Sequence, residues 1–552
     1  MTLTGIQKRW TVLLLLAFLC IAKIPAMLTA DIQPWDEGMY AARVNSIHIN
    51  GDFFDQSQHS VAGFETATHP PLLIWLGYFS ASIFGLDEFV FKLTVFIFGL
   101  LCVLFIIKLG ERLYSFETGF LSALVFTSTY LFTVYAKRFQ LDIPLAFFFI
   151  LCFYFFTRYV QGDGRKFLLW AGVVFGVALM TKSLVGIFIP MILLAYLILK
   201  GKRDVVFNFK DLVLLTEVGL VVALPWHLFM VIKHGSIFLD YLFGFHIYAR
   251  AVEGFGDTVK PSGVFYYFSI LMNNIPFSLV LLYILIKDVF SFKSLDWKKV
   301  FLWTWFLTVF AVITIFVTKI DTYFLPILPA ACIILTGWFL HKEYRTPHET
   351  FIILVLAAFN LFWFLTESVR GKIKLYFLNG GFQTIGMWTA ITVGMIIILY
   401  LISGKISGKI NFRRSYVYVV IILFVSMNVY YAFNISLFEN GFKLSEIKES
   451  AYESGRNKLV YISSDYWMNP QFTYYFDGVD VGGEGKFDYE LIDLNSGIED
   501  VRVKLDSFER NKYIIILDRD GINPGEEFNS RLFIPDHFKL VQKLHGYELY
   551  LN

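Results

Sequence analysis

Two adjacent carboxylates, Asp36 and Glu37, stand just after the first long apolar run, and His69-Pro70-Pro71 begins 32 residues beyond them. A carboxylate there can take the proton of a hydroxyl or amine as it attacks, and partial burial raises its pKa toward a working value. The plainer reading makes Asp36 the cap of the following turn. An imidazole at His69 can meet a phosphate, or the two prolines simply begin a helix beside it. Asp142, in Arg138-Phe-Gln-Leu-Asp142-Ile-Pro144, lies between apolar runs, where an ionisable group is costly and functional by default. Arg138, one turn earlier, is the alternative structural partner. Lys182 reads as a phosphate ligand or as a lysine snorkelling at a span end. Lys319 and Tyr323, four apart, share one side of a helical turn and can hold a phosphate by charge and hydroxyl; the alternative is an aromatic belt with a basic anchor.

The elements that must position these groups are membrane spans. The 552-residue chain is 57% hydrophobic, 19% aromatic and only 17% charged, and apolar runs of bilayer length recur from Trp10 to Asn434. The chain is therefore read as a polytopic α-helical membrane protein. Its net charge of +2 conceals an asymmetry: Gly441 to Asn552 holds 13 Lys and Arg against 20 Asp and Glu, leaving +9 for the rest. That basic excess sets topology and implies no nucleic acid. Cys20, Cys102, Cys152 and Cys332 all lie in apolar runs and imply no disulfide framework. The first run follows Lys8-Arg9 without a convincing cleavage site, so it reads as a retained signal anchor.

Lys8 and Arg9 put the N-terminus in the cytoplasm, and a span from Trp10 to Thr29 carries Asp36 outside. Further spans are expected at 89–109, 118–137, 143–159, 167–180, 184–199, 211–232, 264–287, 299–317, 324–340, 350–366, 385–403 and 416–434, about thirteen in all. Nearly every basic cluster then falls inside. Counting the short apolar piece Pro71 to Gly85 as a crossing inverts them, so it is read as an interfacial helix of the first outer loop, 31–88. The same parity places a second outer loop at 234–262, with Tyr248, Arg250, Glu253 and Lys260. It also brings Asp36, His69, Asp142, Lys182, Lys319 and Tyr323 to one face.

Beyond the membrane part, 1–436, the character changes. Lys458–Ser463 and Lys512–Leu517 read as buried strands, Pro470–Phe476 as a short helix, and Phe538–Leu551 as a hairpin about His545-Gly546. Residues 437–552 are therefore expected to form a soluble α/β domain outside the membrane. Gly482-Gly483-Glu484-Gly485 lacks the strand-to-helix context of a phosphate loop. No metal-ligand spacing, nucleophile elbow or Walker loop appears. No cofactor is called for, and a divalent metal beside the carboxylates stays open.

Taken together, Asp36-Glu37-Gly38-x-Tyr40, His69-Pro70-Pro71-Leu72, Leu141-Asp142-x-Pro144-Leu145, Leu179-x-Thr181-Lys182 and Lys319-x-x-x-Tyr323-x-Leu325-Pro326 resemble GT-C-type glycosyltransferases of the protein O-mannosyltransferase and lipid A aminoarabinose transferase superfamily. The resemblance covers roughly the whole chain. It implies many transmembrane helices, interfacial helices in the first outer loop and a sugar donor on a polyprenyl phosphate. It further implies that Asp36 is the catalytic carboxylate, with Asp142 in support and Glu37 as its neighbour, and that His69, Lys182, Lys319 and Tyr323 lie near the donor phosphate. Tyr40, Arg138 and Arg250 complete the set as substrate contacts. Aminoarabinose transferases continue Asp-Glu-x-Arg-Tyr-Ala-Glu, where this chain has Met39 and Ala42, so a bacterial-type enzyme of unassigned sugar is the better match.

The resulting expectation is a membrane glycosyltransferase of the cell (inner) membrane. It would move a sugar from a polyprenyl (undecaprenyl) phosphate to lipid A, a glycan or a protein on the outer face. A glycosyl phosphate brings its own leaving group, and one carboxylate base gives a single displacement with inversion. A secondary transporter would show two related halves with interrupted spans, which the sequence lacks. An inactive scaffold of the same fold would survive loss of Asp36. Topology is checked by cysteine labelling: thiols at Asp55, Gly256 and Asn495 should react with an outside reagent and those at Asp163, Lys202 and Asn411 should not. Labelling at position 202 would overturn the parity argument.

Overall fold

The structure, a computed structural model, describes residues 4–551 except 59, 61–62, 202, 204, 255–262, 264, 276, 368–408, 410, 434–443, 457, 464–469, 477–487, 494–497, 509–511, 519–533 and 545–546. The apolar runs are helices. In chain order the main ones are α1 (Gly5–Thr29), α2 (Asp36–Asn50), α3 (Leu72–Phe84), α4 (Glu88–Leu113), α5 (Phe116–Thr127) and α6 (Asp142–Val160). Then come α7 (Lys166–Thr181), α8 (Phe188–Leu199), α9 (Phe209–His234), α10 (Tyr266–Asn274), α11 (Ser278–Phe290) and α12 (Trp297–Ile315). The series ends with α13 (Leu328–His341), α14 (Pro347–Glu367), α15 (Phe412–Phe433), α16 (Leu444–Glu453), α17 (Gln471–Phe476) and α18 (Ile498–Asp506).

Among the described residues seven segments are long and apolar enough to cross a membrane: α1, α4, α6, α9, α12, Asp321–His341 and Phe412–Ala432. Helices α10 and α11, bent by 114°, make an eighth if taken as one broken span. The protein is thus a multi-pass membrane protein. Other expected crossings are built from shorter apolar helices, and the run at 385–403 lies outside the described residues. The run at 118–137 is divided because Thr129 accepts the amide of Phe132 and caps a separate helix, Tyr130–Tyr135. Helix α3 has 13 residues, about 20 Å at 1.5 Å each, which is short of a hydrocarbon core of about 30 Å.

The described part of the expected loop 234–262 is largely helical. A turn at Ser236–Leu239 runs into a π-helix at Asp240–Glu253, with Phe238, Leu242 and His246 buried on one side.

The chain forms two compact units. One comprises Met1–Ala22, Ile97–Ala136 and Leu141–Tyr431. Its helices approach closely where glycine allows. A Cβ at Gly176 of α7 would lie 2.5 Å from the Gly219 carbonyl oxygen of α9, and one at Gly172 would lie 2.8 Å from that of Leu215. An Asn208–Asp211 capping box starts α9.

The other unit comprises Lys23–Phe96, Lys137–Gln140 and Ala432–Asn552, so it joins residues from both sides of position 436. Its C-terminal part is a five-stranded sheet of order β2-β1-β3-β5-β4, with β1 (Lys458–Ser463), β2 (Asp488–Asp493), β3 (Tyr513–Asp518), β4 (Lys539–Leu544) and β5 (Tyr547–Leu551). Strands β2, β1 and β3 are parallel, and β5 and β4 close the sheet as an antiparallel hairpin. Val460, Ile462, Ile515 and Leu517 pack with Val501 and Leu505 of α18. The two expected strands, the helix after Pro470 and the hairpin are present. Strand β2 and α18 were not foreseen, because their runs, DYELID and IEDVRVKLD, are too polar to stand out.

Helix α17 of this domain lies against α2. A Cβ on Gly38 would sit 2.5 Å from the backbone nitrogen of Gln471, a contact that no side chain can accommodate unless a backbone moves. The Asp31 carboxylate accepts from the Ser445 amide at 2.9 Å and its hydroxyl at 2.7 Å, and the Tyr475 hydroxyl accepts from the Ile32 amide at 3.0 Å. Asn45 donates to the Tyr474 carbonyl at 3.2 Å. Gly38→Ala should therefore cost about 1–3 kcal/mol or more. Gly244→Ala, where no atom lies within 4 Å of the added carbon, should leave thermal melting of the detergent-solubilised protein unchanged. Equal melting of both variants would refute the close packing.

Candidate active site

In the unit containing α2, the chain enters the helix through Trp35, whose φ of 66° and ψ of −133° lie in a region ordinarily left to glycine. Holding a tryptophan there costs on the order of 1–3 kcal/mol, which the surrounding packing must offset. Asp36 follows as the first helical residue and is half-buried. Glu37 is fully buried, and both of its oxygens are taken: Oε2 accepts from the Gln33 amide at 2.9 Å and Oε1 from the Phe139 amide at 2.8 Å. A carboxylate so engaged by backbone donors is a fastener for the Lys137–Gln140 segment, whose Phe139 ring also stacks on Phe91 at 4.9 Å.

Arg43, one to two turns along α2, is buried and donates to the carbonyls of Thr66 and His69, each at 3.0 Å, and to Gln56 Oε1 at 2.9 Å. Its planar fork thereby fixes the backbone at His69. Burial lowers its pKa to about 10, opposed by Tyr40 and Asp55. The His69 ring meets Tyr40 edge-on, with centroids 6.3 Å apart. Lys137 is also buried.

In the other unit, Asp142 begins α6 and Lys182 breaks the chain between α7 and the turn Ser183–Gly186. Their side chains, both nearly inaccessible, form an ion pair at 3.0 Å through Oδ1. Oδ2 of Asp142 is buried and has no hydrogen-bond partner among the described residues. Lys182 Nζ also lies 5.4 Å from the centre of the Tyr323 ring, and the Tyr323 hydroxyl accepts from Arg250 at 2.8 Å. The π-helix that carries Arg250 is held in place by its own carbonyls, those of Arg250 and Ala251 accepting the amides of Thr318 and Val317 at 2.9 and 3.1 Å. Asp142, Lys182, Tyr323 and Arg250 thus stand in one continuous series.

Lys319 does not share a helical turn with Tyr323. It precedes the 3-10 helix Asp321–Ile327, and its ammonium donates to the carbonyls of Thr314 at 2.7 Å, Ile313 at 3.4 Å and Phe316 at the end of α12. Three N–H groups meet three orphan carbonyls, the arrangement a helix C-terminus favours.

Groups the sequence did not single out stand nearby. Tyr135 donates to Asp321 at 3.1 Å, and the Ser183 hydroxyl lies 2.8 Å from Nε2 of His227, whose Nδ1 is 2.9 Å from the Ala223 carbonyl. That carbonyl can only accept, so Nδ1 carries the proton and the hydroxyl donates to Nε2. Arg43 and Lys137 were likewise missed; a basic residue inside an apolar stretch was the only available signal. Among the described residues no three His, Cys, Asp or Glu side chains converge as a metal site.

Residues 68–229 match the family described as dolichyl-phosphate-mannose-protein mannosyltransferase. Two proteins of Aquifex aeolicus (strain VF5), both described as uncharacterized, are 29% identical over 50% of this chain and 61% of their own length, and 24% identical over 62% and 68%. The first match thus spans less than two thirds of that relative. The crystal structure of ArnT from Cupriavidus metallidurans bound to undecaprenyl phosphate superimposes with a TM-score of 0.65 at 16% identity, covering 98% of this chain and 97% of that one. Its apo form gives 0.64 over the same shares. The chain thus shares the ArnT-like fold over nearly its whole length, and the segment that matches the mannosyltransferase family lies inside it.

Proposed function

We propose that the protein transfers a sugar from a polyprenyl phosphate such as undecaprenyl phosphate to lipid A, a glycan or a protein on the outer face of the cell membrane. In this reading the N-terminus is cytoplasmic and the C-terminal domain lies outside. The observation that carries it is the convergence of two cations on one phenol, with Lys182 over the Tyr323 ring and Arg250 at its hydroxyl. Such a group suits a leaving phosphate, whose developing charge needs fixed donors. The likeness to a fold that holds undecaprenyl phosphate in ArnT supports the donor class.

Asp36 is the proposed base. Glu37 has both oxygens committed to amides and serves to hold backbone, and the proton is assigned to its half-buried neighbour at the first position of α2. The acceptor's oxygen or nitrogen forms a bond to the anomeric carbon as the bond to phosphate oxygen breaks. The acceptor's proton passes to Asp36, and the phosphate departs with the electron pair. One displacement inverts the anomeric carbon. His69, fixed by Arg43, and Tyr40 are the substrate contacts on α2 and the segment after it; Asp142 orients Lys182. Arg138 contacts substrate beside Lys137, and Lys319 adds positive charge while tied to its helix end.

The test is turnover of polyprenyl-phosphate sugars by the purified protein in vesicles. Asp36→Asn should lower it by about 100-fold or more with donor binding kept. Near-normal turnover would remove Asp36 as the base. Glu37→Gln places an NH2 against a backbone N–H, so it should instead lower stability by about 1–3 kcal/mol in thermal melting. A Glu37→Gln protein that melts normally yet has lost turnover would exchange the roles of the two carboxylates. For undecaprenyl phosphate binding, Arg250→Ala should weaken affinity more than Tyr323→Phe, because charge-assisted contacts are roughly twice as strong. Unchanged affinity in both would take the pair out of the donor site.

A further inference from the structure

We infer that the groove between α8 and α9 is a docking surface for a transmembrane helix of a partner protein that carries a lysine or arginine within its apolar run. Helix α9 has 26 residues and an exposed apolar face of Val213, Leu220, Val221, Leu224 and Leu228, the composition of a surface that meets lipid. Glu217 is exposed in that same face. Among the described residues no hydrogen bond or ion pair engages its carboxylate.

Depth decides what can meet it. The middle of α9 falls between Val221 and Val222, so Glu217 is about 7 Å from the centre at 1.5 Å per residue. With the helix centred in a hydrocarbon core of about 30 Å, that leaves the residue roughly 8 Å below the nearer boundary. A carboxylate at that depth is costly without a partner. Lipid headgroup amines stay outside the core, so a cation reaches this level when a membrane-spanning chain carries it there.

Shape agrees with charge. Pro190, Met191 and Leu194 of α8 and Leu212 and Val213 of α9 line an open groove of about 320 Å3 beside Glu217. An acyl chain would fill it and leave the carboxylate unmatched. The same stripe on a second copy would bring another carboxylate instead of a cation. An apolar helix with one basic residue at the right level satisfies both the groove and Glu217.

The probe is a fluorescent single-span peptide of leucine and alanine with one lysine about 8 Å inside its apolar run. It is mixed with the labelled full chain in phosphatidylcholine vesicles. Energy transfer should appear at roughly tenfold lower peptide density than for the same peptide with leucine at that position. Glu217→Gln, melting as the wild type does, should abolish the difference, and Met191→Trp, which fills the groove, should weaken both peptides. Equal transfer from the two peptides would overturn the inference. So would transfer between two labelled copies without peptide that Glu217→Gln abolishes, since that assigns the face to self-association.

Discussion

Both oxygens of the Glu37 carboxylate accept backbone N–H groups, one from the segment before α2 and one from a four-residue stretch a hundred positions later. Much of the α2 region depends on this clamp. It ties Lys137–Gln140 to the start of α2, which the chain enters through Trp35 at positive φ. It also gives the buried Lys137 a counter-charge amid Arg138, Lys23 and Lys92. A backbone-engaged carboxylate resists replacement even by its amide, because an amide presents one acceptor and one donor where two acceptors are required.

The same logic of satisfaction governs the rest of the polar inventory. In an apolar protein each buried charge is costly until it finds a partner, and the structure supplies partners in short series. Lys319 meets helix-end carbonyls, Asp142 meets Lys182, and Arg43 meets carbonyls of the chain near His69. Cations spent on carbonyls hold backbone in place. Those set against a carboxylate or a phenol, as Lys182 and Arg250 are, fit the proposed work on a phosphate.

How far this was legible in the sequence follows from range. Local signals carried well: the long apolar helices, the short helix after Pro71, the buried strands around KLVYIS and the terminal hairpin all rest on runs of a few residues. Asp36, Asp142 and Lys182 stood out because charges between apolar runs are rare. Partnerships were hidden. The basic residue nearest Asp142 in the sequence is Arg138, whereas its ion pair comes from Lys182, 40 residues on. Lys319 and Tyr323 read as one helical turn because i and i+4 normally share a face, but the chain is not helical between them until Asp321. The segment 240–253 read as loop because the span parity set it outside the membrane and its length and polarity do not mark it as a crossing. Strand β2 and α18 carry too many charges for periodicity to reveal their buried side.

The contact of Gly38 with Gln471 also has a meaning in time. Helix α2 is among the first parts of the chain to be made, and the hydroxyl that holds the Ile32 amide belongs to a residue 443 positions later. At about 5–20 residues per second, a nascent chain carries Asp36 for roughly 20–90 s before Tyr475 exists. During that interval the proposed base lacks the surface against which its helix is packed. Completion of the polypeptide, and not insertion of the first spans, is therefore the event that finishes this carboxylate's surroundings, so an interrupted translation leaves the helix without its seat.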